Sequence, residues 1–168
     1  MMNTQQQAFR EAMAHLSAAV SVITSYGPAG RCGITATAVC SVTDTPPTLL
    51  VCVNRNSALN AVIKANGRLC VNVLASEHEE VARHFAGITQ VTMEQRFGLH
   101  DWQLQEAAQP KLSDALASLE GRVTQVQEVG THSVLLVELE DIQVRDSGDG
   151  LVYFSRAFHP LVRPSAAL

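Results

Sequence analysis

The run Cys32-Gly33-Ile34-Thr35-Ala36-Thr37-Ala38-Val39-Cys40-Ser41-Val42 decides how the rest of the chain is read. β-Branched Ile34, Thr35, Thr37 and Val39 favour an extended backbone, so the run reads as a strand. Gly33, Ala36, Ala38 and Ser41 are too small to fill a core by themselves. Two arrangements make use of such a strand. A flat ligand can lie against it, held by peptide groups and by the Thr and Ser hydroxyls. Alternatively, it belongs to a tightly packed barrel in which small side chains let two sheets approach.

The flanking sequence favours the first arrangement. Thr43-Asp44-Thr45-Pro46-Pro47 is a rigid turn, because two prolines fix φ and withhold two donors. Leu49-Leu50-Val51-Cys52-Val53 then reads as a buried strand, followed at once by Asn54-Arg55-Asn56-Ser57. A donor-rich loop between a buried strand and a helix suits a phosphate group.

Composition narrows the class. The chain has 168 residues and is 46% hydrophobic, which is enough for one domain, 1–168, with a sizeable core. Charged residues make up only 17%, a hint that some surface is covered in an oligomer. A net charge of −4 argues against nucleic acid as a partner. No apolar run is long enough for a membrane helix, and the amino terminus has no basic region followed by an apolar core. Cys32, Cys40, Cys52 and Cys70 form no C-x-x-C pair and all lie in apolar β-like runs. They are expected to be reduced core residues of a cytoplasmic protein.

Along the chain, Thr4 with Gln7 resembles a capping box. Phe9, Ala12, Met13 and Leu16 then form one helical stripe, expected to lie on the body of the protein. Residues 18–26 read as a buried strand that Gly27-Pro28-Ala29-Gly30 turns back into the 32–42 run. Leu59, Val62 and Ile63 form one face of a short helix ended by Gly67. A strand over 69–74 and a helix from a Ser76/Glu79 capping box to Phe85, stopped by Gly87, come next. Residues 88–109 show no periodicity beyond a turn of helix at 93–97. Residues 116–126 and 133–144 read as two long strands, and Asp146-Ser147-Gly148-Asp149-Gly150 as a hairpin turn into 151–154. Strands joined by short turns, with helices inserted rather than alternating, indicate a mainly β antiparallel barrel.

Several chemistries are excluded by their missing motifs. There is no G-x-G-x-x-G, P-loop or G-x-S-x-G. His78-Glu79-Glu80-Val81-Ala82 begins like a zincin helix, but Ala82 stands where the second histidine is needed. His84 lies on a different helical face from His78, so no metal pair is expected there. Any redox role therefore needs a borrowed cofactor.

Residues 33–42, the Thr45-Pro46-Pro47 turn and the 54–57 loop together resemble the small flavin reductase family, the reductase components of two-component flavin-dependent monooxygenases. Leu69 to Leu74, Ala82 to Gly87, Arg96-Phe97, Trp102, Pro110, Gly130-Thr131-His132 and Leu151 to Phe154 fall in the family's order, so the likeness covers nearly everything from Phe9 to His159. It implies a homodimeric Greek-key split barrel, the FMN-binding type, with peripheral α-helices. The implied activity is reduction of free FAD or FMN by NADH, with release of the reduced flavin to a separate oxygenase component. The flavin ring would lie on Thr35, Ala36, Thr37 and Ala38, near Ser41 and Val42. Asn54, Asn56, Ser57, Arg83, His84 and Phe85 would hold the ribityl-phosphate end. His132 corresponds to the histidine of the family's glycine–aspartate–histidine motif and would contact the nicotinamide or the flavin edge, with Thr131 in place of the aspartate. Tyr153 and Arg156 would line the same cleft. Two other functions share these features: a split-barrel oxidase that retains its FMN, and a flavin carrier with no enzymatic activity.

Overall fold

A computed structural model describes residues 1–165; the last three of the 168 residues expected for the domain lie outside it. In chain order the elements are α1 (Thr4–Ala14), β1 (Ala18–Ala19), β2 (Ser21–Ser25), β3 (Cys32–Ala36), β4 (Val39–Asp44), β5 (Pro47–Asn54), α2 (Ala58–Asn66) and β6 (Arg68–Val73). A 3₁₀ turn (Ser76–His78) leads into α3 (Glu79–Phe85), followed by α4 (Met93–Gly98), β7 (Trp102–Gln103) and β8 (Lys111–Leu112). The chain continues with β9 (Ala117–Val129), β10 (His132–Val144), β11 (Gly150–Phe154) and β12 (Ala157–Leu161).

The run Cys32–Val42, expected as one strand, is two. Seven strands form an antiparallel sheet in the order β3-β2-β6-β9-β10-β5-β4, so consecutive β3 and β4 occupy its opposite edges. Only Thr37 and Ala38 join them. A flat sheet of seven strands would hold its edges about 29 Å apart, whereas the chain from Ala36 to Val39 spans at most about 11 Å. The sheet must therefore roll up until its edges meet. Register shifts in the β9–β10 and β4–β5 ladders add the local twist that rolling needs. The link itself is pinned, with Val39 N–H donating to Thr37 O (3.0 Å) and Cys52 N–H to Ala38 O (3.0 Å). This is an antiparallel barrel split between β3 and β4.

β1, β11 and β12 form a separate three-stranded sheet. The 146–150 segment is thus not a hairpin turn, because β11 pairs with β1 and β12 and not with β10. Two buried clusters fill the interior. Ile23, Val51, Ile63, Leu69, Val71 and Leu135 pack inside the barrel. Val20, Leu74, Val81, Phe85, Phe97 and Trp102 pack between the barrel and α3–α4. Gly33 lies where β3 meets the second cluster, and a Cβ there would come within 2.7 Å of the Phe85 ring. That ring is wedged against Phe97 and Trp102, so an added methyl costs about 1–3 kcal/mol of overpacking.

Several helix ends differ from expectation. α1 is capped by Asn3 with Gln6, one residue before the expected box. Its apolar stripe does not lie on the body, since Phe9 is 64%, Met13 46% and Leu16 63% exposed. Ser76 and Glu79 do not form a box. His78 Nδ1 instead accepts from the Ala75 N–H at 2.9 Å, which tightens this start into a 3₁₀ turn. α2 matches its reading, with Ser57 at the N-cap and Gly67 closing it at φ 70°. Among the cysteines, Cys32 and Cys70 are buried and Cys52 is half-buried, but Cys40 is exposed on edge strand β4.

Candidate active site

β3 is an edge strand paired only with β2 among the described residues, so its outer row of peptide groups is left for other partners. Three cavities follow one another along this edge. The first, about 170 Å³, lies between the start of β3, Ser57, Ala86 and Arg96. The second, about 240 Å³, is lined by Thr35, Ala36, Thr37, Ala86, Tyr153 and Phe158. The third, about 640 Å³, opens between Thr37, Tyr153, Arg156 and α1. Ala86 is common to the first two, and Thr37 and Tyr153 to the second and third, so the cavities form one trough.

The walls follow from the sequence. Thr35 Oγ1 donates to Ala82 O at 2.7 Å and ties the middle of β3 to α3. Small Ala36 leaves the floor of the second cavity open. Tyr153 stacks on Phe158 with ring centroids 5.1 Å apart, and together they form the facing wall. Arg83 lies over the outer side of Phe158, with its guanidinium carbon 5.4 Å from the ring centroid, and pairs with Glu79 at 2.8 Å. Arg156 reaches Glu11 of α1 at 3.0 Å, closing the far end of the trough.

At the near end the 54–57 loop is a hydrogen-bonded turn. Asn54 Oδ1 accepts from the Asn56 N–H (2.9 Å), and Ser57 Oγ accepts from the Leu59 N–H (3.2 Å). Arg96 was not among the expected site residues. It faces the same cavity as Ser57, and its Nε is held by Val91 O at 3.3 Å. The advance signals were its place in the Arg96-Phe97 pair of the resemblance and the T-x-x-Q pattern of Thr92 and Gln95, which caps α4 and so fixes where Arg96 points. Burial raises the Cys32 thiol above its ordinary value, against the pull of the Gly33 N–H and the Arg96 charge. Cys32 is therefore a protonated wall residue, not a nucleophile.

His132 is exposed and stands opposite Asn54 in the β5–β10 ladder. Its Nδ1 lies 2.9 Å from Thr131 Oγ1. Arg55 binds this turn twice, through its N–H to Thr131 O (2.9 Å) and its Nη1 to Gly130 O (3.3 Å). Arg55, Asn56, Gly130 and Thr131 surround a depression of about 350 Å³.

The structure thus brings Asn54, Asn56 and His132 together, and gathers Thr35, Ala36, Thr37, Tyr153 and Arg156 along the trough. Ala38 lies in the link itself, and Ser41 and Val42 lie beyond it, exposed on β4. His84 and Phe85 turn away from solvent. Phe85 is a core residue at 1% exposure, and His84 is buried with its ring nitrogens on Thr89 and Glu80. A ligand in the trough meets α3 through Phe85, which lines the first cavity, and through the segment that follows it, Ala86 to Ile88.

A split antiparallel barrel with a ligand-sized trough along one parted edge is the architecture of flavin reductases. The profile described as "Flavin reductase like domain" matches residues 13–162, so the chain belongs to that family. It is 73% identical over 163 residues to the 4-hydroxyphenylacetate 3-monooxygenase reductase component of Pseudomonas aeruginosa, covering 97% of this chain and 96% of that one. It is 50% identical over 165 residues to the FMN reductase (NADH) RutF of Cronobacter sakazakii, with 98% of each covered. Among solved structures, the Streptomyces globisporus C-1027 NADH:FAD oxidoreductase in complex with NAD and FAD fragments superposes with a TM-score of 0.86. It shares 26% identity, and 99% of each chain is covered.

Proposed function

We infer that this protein is an NADH-dependent flavin reductase, the reductase component of a two-component monooxygenase. It reduces free FAD or FMN and gives up the reduced flavin to a separate oxygenase. The observation that carries this reading is the trough along the unpaired edge of β3, floored by small residues and continuous from Ser57 to Arg156.

The residues present fit a flavin. The outer peptide edge of Thr35–Thr37 offers donors and acceptors to the polar rim of a flat ring, while Ala36 and the Tyr153–Phe158 pair offer apolar faces. Ser57 at the start of α2 and the Arg96 guanidinium suit the phosphate, with Asn54 and Asn56 beside them. When bound, flavin takes a hydride from the nicotinamide of NADH and leaves carrying the electron pair. The chain's part is orientation. His132 holds the nicotinamide by contact with its edge, and the walls of the trough exclude water from the face where the rings meet. No proton from His132 is needed for a hydride to move.

The trough contains few charges, which favours a flavin that exchanges over one that stays. A dissociation constant on the order of micromolar, about −8 kcal/mol, follows. Ala36→Leu tests this placement, because it fills the floor of the second cavity, although Ala36 also borders the barrel core. Flavin affinity, followed by fluorescence quenching under conditions where thermal melting shows the variant folded, should fall about tenfold or more. Unchanged affinity would move the flavin elsewhere.

We further propose that the protein works as a homodimer. The stripe of Phe9, Met13 and Leu16 is exposed on α1, where it borders the third cavity, and a second copy would cover it. A cytoplasmic setting is part of the same reading, supported by four free cysteines. Among the described residues no helix is long and apolar enough to cross a membrane.

A further inference from the structure

α3 carries a second group of side chains that the flavin reading does not use. Glu80 and His84 stand one turn apart, which places them on the same helix face. Glu80 Oε1 and His84 Nε2 are 3.2 Å apart. His100, beyond α4, brings a second imidazole whose centroid is 5.4 Å from that of His84. One ligand atom from each of Glu80, His84 and His100 lies within 4.8 Å of the other two.

Two observations separate this group from an ordinary surface ion pair. His84 Nδ1 lies 2.7 Å from Thr89 Oγ1. This contact fixes the orientation of the His84 ring, so that Nε2 faces the Glu80 carboxylate. His100 Nε2 is buried and has no hydrogen-bond partner among the described residues. Folded proteins rarely leave such an atom unpaired.

We propose that Glu80, His84 and His100 form a binding site for a zinc-type divalent cation, with water as the fourth donor. Two imidazoles and one carboxylate are a borderline-soft set that zinc takes in tetrahedral geometry. With metal–donor bonds of about 2.1 Å, neighbouring donors of a tetrahedron lie about 3.4 Å apart, close to the 3.2 Å between Glu80 and His84. His100 completes the set by a side-chain adjustment of roughly 1 Å. Thr89 orients the His84 ring as an outer hydrogen-bond partner. His78, which the sequence places next to this helix, is not a ligand of this site, because its Nδ1 accepts from the Ala75 N–H and the proton is left on Nε2, which faces Asp114 at 3.1 Å. The ion joins α3 to the segment after α4. Ala86 directly follows α3 and Arg96 lies in α4, so the site braces that wall from behind.

The test does not depend on flavin. Full-length protein, stripped with EDTA and desalted, is titrated with zinc chloride in a calorimeter. One ion per chain should bind, and Tm should rise by about 5 °C at a hundredfold excess over Kd. Glu80→Gln and His100→Gln should each weaken zinc by at least about tenfold, whereas Asp114→Asn should leave it unchanged. Cobalt(II) in the wild type should show the visible absorption of a four-coordinate site, and His100→Gln should lose it. Glu80 is exposed, so its variant folds in any case and gives a decisive reading. Failure of zinc to bind at about 100 µM, or equal affinity in wild type and both variants, would overturn the site.

Discussion

His132 stands directly across the β5–β10 ladder from Asn54, so a single strand pairing fixes His132 beside the 54–57 loop. Asn54 begins the loop that leads through Asn56 to the Ser57 cap of α2. His132 follows the Gly130–Thr131 turn that Arg55 clamps. Residues far apart in the chain thereby share one rigid corner.

His132→Ala and His132→Asn should each lower kcat/KM for NADH by roughly ten- to a hundredfold, or about 1.4–2.7 kcal/mol in the barrier. The NADH KM should rise while flavin affinity changes less, as expected for a group that positions the nicotinamide. Steady-state kinetics with each substrate varied separately would check this. Wild-type constants in both variants would make His132 an ordinary turn residue.

Arg96→Gln should weaken FMN binding by about tenfold and riboflavin binding by much less. The guanidinium faces the cavity that holds Ser57, and only FMN offers a phosphate there. Parallel titrations with the two flavins give the comparison. An equal loss for both would mean that Arg96 shapes the wall without meeting the phosphate.

The proposed homodimer, covering the exposed α1 stripe, should be obligate and bury at least about 2,000 Å² in total. Sedimentation at micromolar concentration should give a dimer, and Phe9→Glu with Met13→Glu should shift it toward monomer. An active wild-type monomer would contradict the assignment.

Much of this was legible beforehand because it is local. Ser57 and Gly67 cap α2 as read, since a cap needs only the chemistry of its own turn. Residues 133–144 likewise read as a strand and lie within β10, where Leu135 and Val137 are buried. The break at Thr37–Ala38 was hidden, because the same extended preference runs on both sides of it. What divides the run is the distant pairing of β3 with β2 and β4 with β5. α1 was misplaced for a related reason. Its amphipathic period states that a face must be covered but not by which chain. Phe85 and His84 fell on the helix expected at the cofactor, yet which way they face follows from Gly33, Phe97 and His100, contacts that α3's own sequence does not contain. Arg96 lay in a stretch without periodicity; the resemblance marked the Arg96-Phe97 pair, but its place at the cavity with Ser57 follows from the fold.

Stability should decline in alkali through Cys70. Burial first, and then the Glu120 carboxylate, push this thiol up from 9.0 to about 12. The fold favours the protonated form, so the contribution is fully present below about pH 9. It is lost as the pH climbs toward 12, at about 1.4 kcal/mol per unit. Urea midpoints between about pH 8 and 11 should fall more steeply for wild type than for Cys70→Ala, although the variant starts lower for want of packing. Parallel curves would show that the thiol contributes no such dependence.

The central claim is that flavin passes through this protein as a substrate. Its most direct test is the initial rate of NADH oxidation by exhaustively dialysed protein as free FAD or FMN is raised from zero. The account predicts almost no rate without added flavin and saturation at micromolar flavin. Full turnover of dialysed protein with no flavin added, unchanged when flavin is supplied, would contradict it.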